Sequence, residues 1–455
     1  MTDHDEAEQI PGTDGASGSV GSGDSASPAS TAGADAARAR LAADLRASGR
    51  ALSPQVLQAF AQVPRHLFVP EVDQSAAYRD EALVLKCGPD GVPLSSSSQP
   101  AMMAIMLEQL DLRPGHRVLE IGTGSGYNAA LMSVITGPGG RVTTVDIDAE
   151  LVGRARASLA AAGFPAVRVR CADGGYGDPA AAPFDRIIVT AGAWDIAPAW
   201  LDQLGPGGRL VLPLSVHAIE LSVALERSGD HWLARSACRC GFVRMLGAFA
   251  RPQLAIRLNG PEPVLVQVGD GDGVDAEALQ EALAGPAVDV RAGIGVADQS
   301  ELGDLDLWLT LTEPALSRVT VLSAPGHRQD LPLMMGGLAS HADAAGALGV
   351  ATLVPGEPAG PTRAGAGVTV RGYGRGGQVL AEYLADQARL WAEHGRPGAD
   401  TMQLSVWQAG GAVPLTMEPP ATELPATGPQ VTGMSILERP SATIAVGWPA
   451  QAGTR

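Results

Sequence analysis

The chain has 455 residues, of which 45% are hydrophobic and 18% charged, and a formal net charge of −17. This length predicts two or three domains with enough apolar material for at least one large core. The balance of 32 basic against 49 acidic residues disfavours a nucleic-acid-binding protein, because such proteins need a basic face that displaces counterions.

The cysteine content and the hydropathy pattern exclude further classes. Four cysteines are too few for a disulfide framework, and Cys238 and Cys240 lack a second Cys/His pair at zinc-ligand spacing, so we expect no metal. No stretch approaches the roughly 18 uninterrupted apolar residues of a membrane span. The N-terminal sequence MTDHDEAEQIPG does not resemble a signal peptide. We therefore expect a cytoplasmic protein without a membrane partner.

The first third of the chain predicts a tail, two helices and a loop. Residues 1–36 are mainly Gly, Ser, Ala, Asp and Thr, which predicts disorder. A helix is predicted from Ala37, and a second one in SPQVLQAFAQV, with Ser53 as N-cap and Pro54 at its first position. A long loop then leads to SSSSQPAMMAIMLEQLDL, which predicts a polar turn and an apolar-faced helix.

The middle of the chain alternates strands with helices. Strands are predicted in RVLEIG, RVTTVDID, AVRVRCADGG, FDRIIVTAGA and GGRLVLPL. Because helical segments separate several of them, the pattern predicts an α/β fold with a mostly parallel, doubly wound, Rossmann-like sheet.

This alternation ends near Gly247, and RPQLAIRLNGPEP predicts a linker or a crossover connection. Seven later segments predict strands: PVLVQVGDG, LDLWLTL, RVTVLSA, GVATLVPG, GVTVRGYG, TMQLSVW and ATIAVGWP. A long helix is predicted in GGQVLAEYLADQARLWAEHG. We therefore predict one domain over residues 37–250 and a smaller α+β C-terminal domain over residues 251–455.

A glycine-rich turn, GTGSG, follows the first of the central strands. Gly122, Gly124 and Gly126 permit positive φ angles and let a ligand approach bare backbone. The next strand ends in Asp146, where a carboxylate can accept hydrogen bonds from a ribose diol. This combination predicts a nucleoside-containing cofactor.

The neighbouring residues favour S-adenosylmethionine over a dinucleotide. The turn lacks G-x-G-x-x-G spacing, and Glu120 before it would repel a pyrophosphate but favour a cationic cofactor. Asp173 and Gly174 end the third strand, where a carboxylate can accept a hydrogen bond from an adenine amine. A later G-x-G-x-x-G, at residues 372–377, is interpreted as a glycine turn, because its well-spaced acid, Glu393, lies within a helix.

Several segments together resemble the protein-L-isoaspartate O-methyltransferase family: VPRHLFVP, AAYRD, SSSSQPAMMAIM, LEIGTGSGYNAAL, CADGGYGDPAAAPFDRIIVTAGA and QLGPGGRLVLPL. The resemblance runs from about residue 40 to about residue 250. It implies a class I S-adenosylmethionine-dependent methyltransferase fold and a carboxyl O-methyltransferase that releases S-adenosylhomocysteine.

The resemblance also implies a site. Ser98 is the predicted catalytic residue, beside the methyl donor and the acceptor carboxylate. The predicted cofactor-binding residues are Ser95, Ser96, Ser97, Glu120, Gly122, Thr123, Gly124, Ser125, Gly126, Asp146, Asp173 and Gly174. Thr190 and Ala191 resemble residues that line the acceptor pocket. A carboxylate acceptor is already ionised at pH 7, so the chemistry needs in-line placement rather than a general base.

The C-terminal region is similar to the appended domain of family members that act in lanthipeptide and graspetide biosynthesis. Those enzymes methylate one aspartate of a modified precursor peptide, and the ester collapses to an aspartimide, which can hydrolyse to isoaspartate. The chain departs from the family pattern at Arg244, where proline is usual. Trp448 is interpreted either as a peptide anchor or as part of the core of the appended domain.

Three functional hypotheses follow. The first is methylation of an aspartyl side chain in a cyclised ribosomal peptide (a RiPP), read by the C-terminal domain. The alternative is general isoaspartyl repair, with the extra domain serving stability or oligomerisation. A third hypothesis is a non-catalytic binding module, which the intact residues Gly122, Gly124, Asp146 and Asp173 disfavour.

Overall fold

The computed structural model describes residues 28–89, 91–217, 219–251, 255–258, 264–267, 276–312, 318–321, 336–337, 350–356, 366–409 and 431–449. A ten-stranded mixed sheet lies at the centre of these residues, with smaller sheets of four, three and two strands. No helix in these ranges is long and apolar enough to cross a membrane. The cytoplasmic location stays a prediction.

The elements follow one another in two groups. Up to residue 240 the helices are α1 (Pro28–Ala47), α2 (Pro54–Gln62), α3 (Gln74–Ala77), α4 (Pro100–Leu110), α5 (Tyr127–Thr136), α6 (Ala149–Ala161) and α7 (Pro198–Asp202). The strands of this part are β1 (Leu83–Cys87), β2 (Pro93–Ser97), β3 (Arg117–Ile121), β4 (Arg141–Asp146), β5 (Arg168–Cys171), β6 (Phe184–Val189), β7 (Leu204–Val216), β8 (Ile219–Ser228) and β9 (His231–Cys240).

The second group begins beyond residue 250. Its helices are α8 (Ala276–Ala284), α9 (Gln299–Thr312) and α10 (Gly377–Glu393). Its strands are β10 (Ala255–Leu258), β11 (Val264–Gln267), β12 (Ala287–Val296), β13 (Arg318–Val321), β14 (Gly336–Gly337), β15 (Val350–Gly356), β16 (Ala366–Tyr373), β17 (Gln403–Gln408), β18 (Val431–Glu438) and β19 (Ala442–Pro449).

The five predicted central strands form the parallel part of the large sheet, in the order β5-β4-β3-β6-β7. This order confirms the Rossmann-like prediction. From β3 to β5 the chain adds strands toward one edge of the sheet, and from β6 onward it adds them toward the other edge. The point between β3 and β6 is therefore a topological switch point, where the carboxyl ends of the strands form a ligand crevice. The sheet continues past β7 with the antiparallel strands β8 and β9, which the sequence analysis did not predict.

Two predictions near the N-terminus need correction. Helix α1 begins at Pro28, so the last part of the predicted tail is helical, and residues 1–27 lie outside the described residues. This stretch is rich in alanine, the best helix former, and Ala34 is buried in a cluster with Leu41. The serine run is also a strand rather than a turn, because β1 and β2 pair as an antiparallel hairpin.

The C-terminal strands extend the same sheet. Strand β17 pairs with β9, β19 with β17, and β18 with β19. Strands from both sides of residue 250 therefore belong to one sheet, and the division of the chain into two domains at that residue stays a proposal.

Segment LDLWLTL is helical in α9, so its prediction as a strand was wrong. The carboxylate of Asp298 accepts hydrogen bonds from the backbone N–H groups of Ser300 and Glu301, 2.9 and 3.0 Å away, which starts a helix. Leu302, Leu305 and other apolar residues then recur at helical spacing and are buried.

Of the two interpretations of Trp448, a peptide anchor or a core residue, the structure supports the core residue. It is 3% exposed, its ring centroid lies 5.3 Å from that of Trp308, and its indole N–H donates to the Gly398 carbonyl oxygen at 2.8 Å. The later glycine motif also has a packing role, because a Cβ on Gly372 would overlap the backbone of Gly377 at the start of α10.

Candidate active site

A cleft that is partly open to solvent lies at the carboxyl ends of β3, β4 and β6. It brings together most of the predicted site: Ser95, Ser96, Ser97, Ser98, Glu120, Gly122, Thr123, Gly124, Ser125, Asp146, Gly174, Thr190 and Ala191. The segment from Phe242 to Leu246, which we call the strap, forms a further wall.

Two predicted cofactor residues do not line this cleft. Gly126 packs against α6, where a Cβ would lie 3.3 Å from atoms of Ala155 and Leu159. Asp173 accepts hydrogen bonds from the backbone N–H groups of Gly175 at 2.9 Å and Ala248 at 2.8 Å, so its carboxylate ties the end of β5 to the chain that follows the strap. The predicted adenine contact of Asp173 stays a prediction.

The glycine-rich turn presents bare backbone to the cleft. Gly122 has φ +100°, and a Cβ there would lie 2.6 Å from Thr190 Oγ1. Gly124 has φ +51°, and a Cβ would lie 3.3 Å from the Ser96 carbonyl oxygen of the β1–β2 hairpin. Glycine suits such backbone and such proximity best, so the turn can contact a ligand closely.

Asp146 ends the buried strand β4 and organises this turn. Its Oδ2 accepts hydrogen bonds from the backbone N–H groups of Thr123 at 3.0 Å and Gly124 at 3.1 Å, and its Oδ1 accepts one from Asp148 N–H at 3.0 Å. A carboxylate offers about four lone-pair sites, so three are used and acceptor capacity remains for a ribose hydroxyl.

Glu120 lies beneath the turn and is 1% exposed. Burial raises its pKa to about 7, although hydrogen bonds from the Thr144 hydroxyl and the Asn128 amide act in the opposite direction. Both oxygens already accept from protein groups, and the Thr144 hydroxyl lies 2.8 Å from the Thr123 hydroxyl of the turn. Glu120 therefore helps to fix the turn rather than offering a free ligand.

The serine strand forms the opposite wall. Ser95 and Ser97 are buried, as expected for alternate residues of a strand, and Ser97 Oγ has no hydrogen-bond partner within the described part of the chain. A buried hydroxyl without a partner is costly, so this atom suits a polar group of a ligand in the cleft. Ser98 follows β2 directly, at the position where the chain turns into α4.

Sequence reasoning missed Arg65, which is fully buried below Ser98. Its guanidinium donates hydrogen bonds to the carbonyl oxygens of Ala77, Arg79, Glu81 and Ser98, at 3.0, 3.0, 3.1 and 3.0 Å. The quoted segment VPRHLFVP contains this arginine, but its burial depends on contacts with distant residues. The planar fork of donors fits the role of holding several carbonyl groups in one place.

Sequence reasoning also missed a role for Lys86, the only lysine of the chain. Lys86 lies on β1, lines the cleft, and donates to Asp148 Oδ2 at 2.7 Å and Glu150 Oε2 at 2.8 Å. These two carboxylates follow β4, so the ion pairs join the β1–β2 hairpin to the far side of the glycine-rich turn. The hairpin thereby covers this turn.

The strap is held by the loop that follows β6. The Gly192 N–H donates to the Val243 carbonyl oxygen at 2.8 Å, and the Met245 N–H donates to the Gly192 carbonyl oxygen at 3.2 Å. Arg244, the departure from the family pattern, lines the cleft between these two contacts. The strap is therefore continuous with the predicted acceptor wall at Thr190 and Ala191.

These features fit S-adenosylmethionine. The glycines leave room for a cofactor against the backbone, and Asp146 can accept a hydrogen bond from a ribose hydroxyl. No group of three or more His, Cys, Asp or Glu side chains that could hold a metal ion occurs within the ranges described above.

Comparison with known proteins identifies relatives of the first half of the chain. A family model described as protein-L-isoaspartate(D-aspartate) O-methyltransferase matches residues 36–250. A protein-L-isoaspartate O-methyltransferase of Methanopyrus kandleri is 41% identical over 221 residues, which cover 48% of this chain and 95% of that protein. The enzyme of the same name from Methanosarcina mazei is 44% identical over 199 residues, covering 44% of this chain and 79% of that protein.

Two solved structures are similar at lower identity. One, a protein-L-isoaspartate O-methyltransferase, has 22% identity and a TM-score of 0.45, and the alignment covers 81% of this chain and 96% of that one. The other is from Plasmodium falciparum, in complex with S-adenosyl-L-homocysteine, with 19% identity and a TM-score of 0.41; the alignment covers 46% of this chain and 98% of that one.

Proposed function

The chain belongs to the protein-L-isoaspartate O-methyltransferase family of S-adenosylmethionine-dependent carboxyl O-methyltransferases, and we propose that it methylates the free carboxylate of isoaspartyl residues in proteins or peptides. The finding that supports this proposal most strongly is the identity of 41% over nearly the whole length of the Methanopyrus kandleri enzyme. The similarity of the C-terminal region favours a cyclised peptide as substrate, whereas the relatives named above favour isoaspartate.

The cleft supports a reaction that depends on positioning. Bound S-adenosylmethionine would supply an electrophilic methyl group. The acceptor carboxylate is ionised at neutral pH, so the protein needs no base to generate the nucleophile. Its task is to hold the carboxylate in line with the methyl carbon, which can supply much of the rate enhancement.

Ser98 is the residue that we propose for this task. Its hydroxyl can donate one hydrogen bond to the acceptor carboxylate, and Arg65 holds its backbone carbonyl. Thr190 and Ala191 would form the wall against which the acceptor peptide lies. Glu120 and Asp146 would keep the glycine-rich turn in the shape that accepts the cofactor.

A second candidate function is the tailoring of one aspartate in a cyclised ribosomal peptide, whose ester would collapse to an aspartimide. One observation favours it: strands β17 to β19, from the extra half of the chain, extend the methyltransferase sheet. An enzyme that recognises one constrained peptide gains from a larger complementary surface. The names of the relatives reported above favour isoaspartate as the acceptor.

Three synthetic peptides separate the two functions. Two linear peptides have one sequence and carry either isoaspartate or aspartate at one position, the third is a cyclised aspartyl peptide, and each is incubated with the full chain and methyl-labelled S-adenosylmethionine. We expect the isoaspartyl peptide alone to gain label. Absence of label in that peptide, while a cyclised aspartyl peptide is methylated, would favour the second candidate.

A further inference from the structure

The turn between β18 and β19 contacts the loop that follows β6. The Arg439 Nε–H donates to the Trp194 carbonyl oxygen at 3.1 Å, and the guanidinium carbon lies 4.9 Å from the centroid of the Trp194 ring. Two residues along the turn, the Ser441 N–H donates to Asp195 Oδ2 at 2.9 Å. More than 240 residues separate the partners in sequence.

Both side chains that join the turn to the loop are buried. Arg439 is 8% exposed and Asp195 is 3% exposed. The second oxygen of Asp195 accepts a hydrogen bond from the Ile196 N–H at 2.8 Å, so one carboxylate fixes both its own loop and the distant turn. A buried charged group stabilises a structure only when its hydrogen bonds are made, so a substitution that removes one partner should shift the loop.

The contacted loop leads directly to the acceptor wall. Thr190 and Ala191 line the cleft, and Gly192 is hydrogen-bonded to the strap. Ala193 pairs with strand β7 through its N–H and carbonyl groups. The loop is thus held by the strap and by β7, and its next two residues are held by the β18–β19 turn.

We propose that Arg439 is a positioning residue for the acceptor: its contact with Trp194 sets the shape of the Thr190–Ala191 wall and thereby the affinity for the substrate peptide. The inference rests on the proposed function and assigns to the extra half of the chain a defined effect on specificity. The Thr190 hydroxyl also donates to the Gly122 carbonyl oxygen at 2.7 Å, so the acceptor wall touches the glycine-rich turn. Arg439 itself does not line the cleft, and we expect its loss to change cofactor affinity less than peptide affinity.

The test is steady-state kinetics of Arg439→Ala and Arg439→Lys in the full chain, with the isoaspartyl peptide as acceptor. For Arg439→Ala we expect KM for the peptide to rise about threefold to tenfold, because contacts of this kind modulate coupling by such amounts.

We expect S-adenosylhomocysteine affinity, measured by calorimetry, to stay within about twofold of wild type. Arg439→Lys should recover part of the lost peptide affinity through its retained charge. Arg235→Ala, which removes an exposed arginine on β9, is the matched control.

An Arg439→Ala protein that folds with unchanged KM would overturn the inference, as would an equal loss of cofactor and peptide affinity. If Arg439→Ala does not fold, Trp194→Leu removes the ring from the same contact and must raise KM in the same way. A wild-type chain that does not methylate the isoaspartyl peptide refutes the proposed function instead, which distinguishes the two failures.

Discussion

The guanidinium of Arg65 and the backbone carbonyl oxygen of Ser98 are joined by a hydrogen bond of 3.0 Å, although 33 residues separate them. The same guanidinium holds three carbonyl groups of the chain that leads into β1. One buried side chain therefore fixes both ends of the hairpin that covers the glycine-rich turn. This arrangement makes Ser98 a fixed point of the cleft, as a positioning residue for an acceptor requires.

We predict that Ser98→Ala lowers turnover of the isoaspartyl peptide about 10- to 100-fold, the effect of losing one hydrogen bond to a charged group. Affinity for S-adenosylhomocysteine should stay nearly intact, because the backbone contact with Arg65 does not involve the hydroxyl. Kinetics and calorimetry on the same preparation check both parts. A variant as active as wild type would remove Ser98 from the mechanism.

We predict that Asp146→Ala weakens cofactor binding by about 1.5–3 kcal/mol, the size of a lost charge-assisted hydrogen bond. Asp146→Asn should lose less, because the amide oxygen still accepts from the turn. Calorimetry with S-adenosylhomocysteine measures both, and Asp202→Ala, at the exposed end of α7, serves as the control. Unchanged affinity in Asp146→Ala would refute the ribose assignment.

We predict that Lys86 joins the hairpin to the cofactor cleft in solution. Its hydrogen bonds to Asp148 and Glu150 raise the pKa of this amine well above its ordinary value. Lys86→Met should weaken S-adenosylhomocysteine binding at low salt, and less at high salt, because exposed ion pairs are screened. Lys86→Arg should retain most of the affinity. Equal affinities for wild type and Lys86→Met at low salt would contradict this role.

The same lysine allows a chemical test, since it carries the only side-chain amine of the chain. An amine-directed acetylating reagent should modify Lys86 more slowly when S-adenosylhomocysteine is bound, with the modified site read by peptide mass spectrometry. Labelling at the same rate with and without the ligand would show that the hairpin does not cover the cofactor.

We predict that Glu120 makes stability fall as pH rises. Burial raises its pKa from 4.5 to about 7, so the folded protein binds this proton more tightly than the unfolded chain. The free energy of unfolding should therefore decrease between pH 4.5 and pH 7, by about 3 kcal/mol at most. Glu120→Gln should lack this contribution. Urea unfolding across this range measures both slopes, and identical slopes would contradict the prediction.

The sequence predicted the elements whose signals are local. The alternating strands and helices, the glycines at positive φ and Asp146 at the end of β4 all follow from patterns within a few residues of each other. The wrong prediction for LDLWLTL has a physical cause, because a short apolar run fits a buried strand or a buried helix equally well. The capping carboxylate of Asp298 decides between them.

The features that the sequence did not predict depend on long-range contacts. The carbonyl partners of Arg65 lie 12 to 33 residues away, and the partners of Lys86 lie 62 and 64 residues away. The pairing of β17 with β9 joins residues 405 and 233. Because composition and periodicity describe neighbours along the chain, none of these contacts leaves a signal in them.

The central claim is that isoaspartate is the acceptor, and a competition experiment tests it most directly. The full chain and S-adenosylmethionine are mixed with equal amounts of an isoaspartyl peptide, its aspartyl twin and a macrocyclic aspartyl peptide, and intact mass follows methyl addition to each. We predict that the isoaspartyl peptide gains a methyl group and that the other two peptides stay unmodified. Methylation of the macrocyclic peptide alone, followed by loss of methanol, would contradict it.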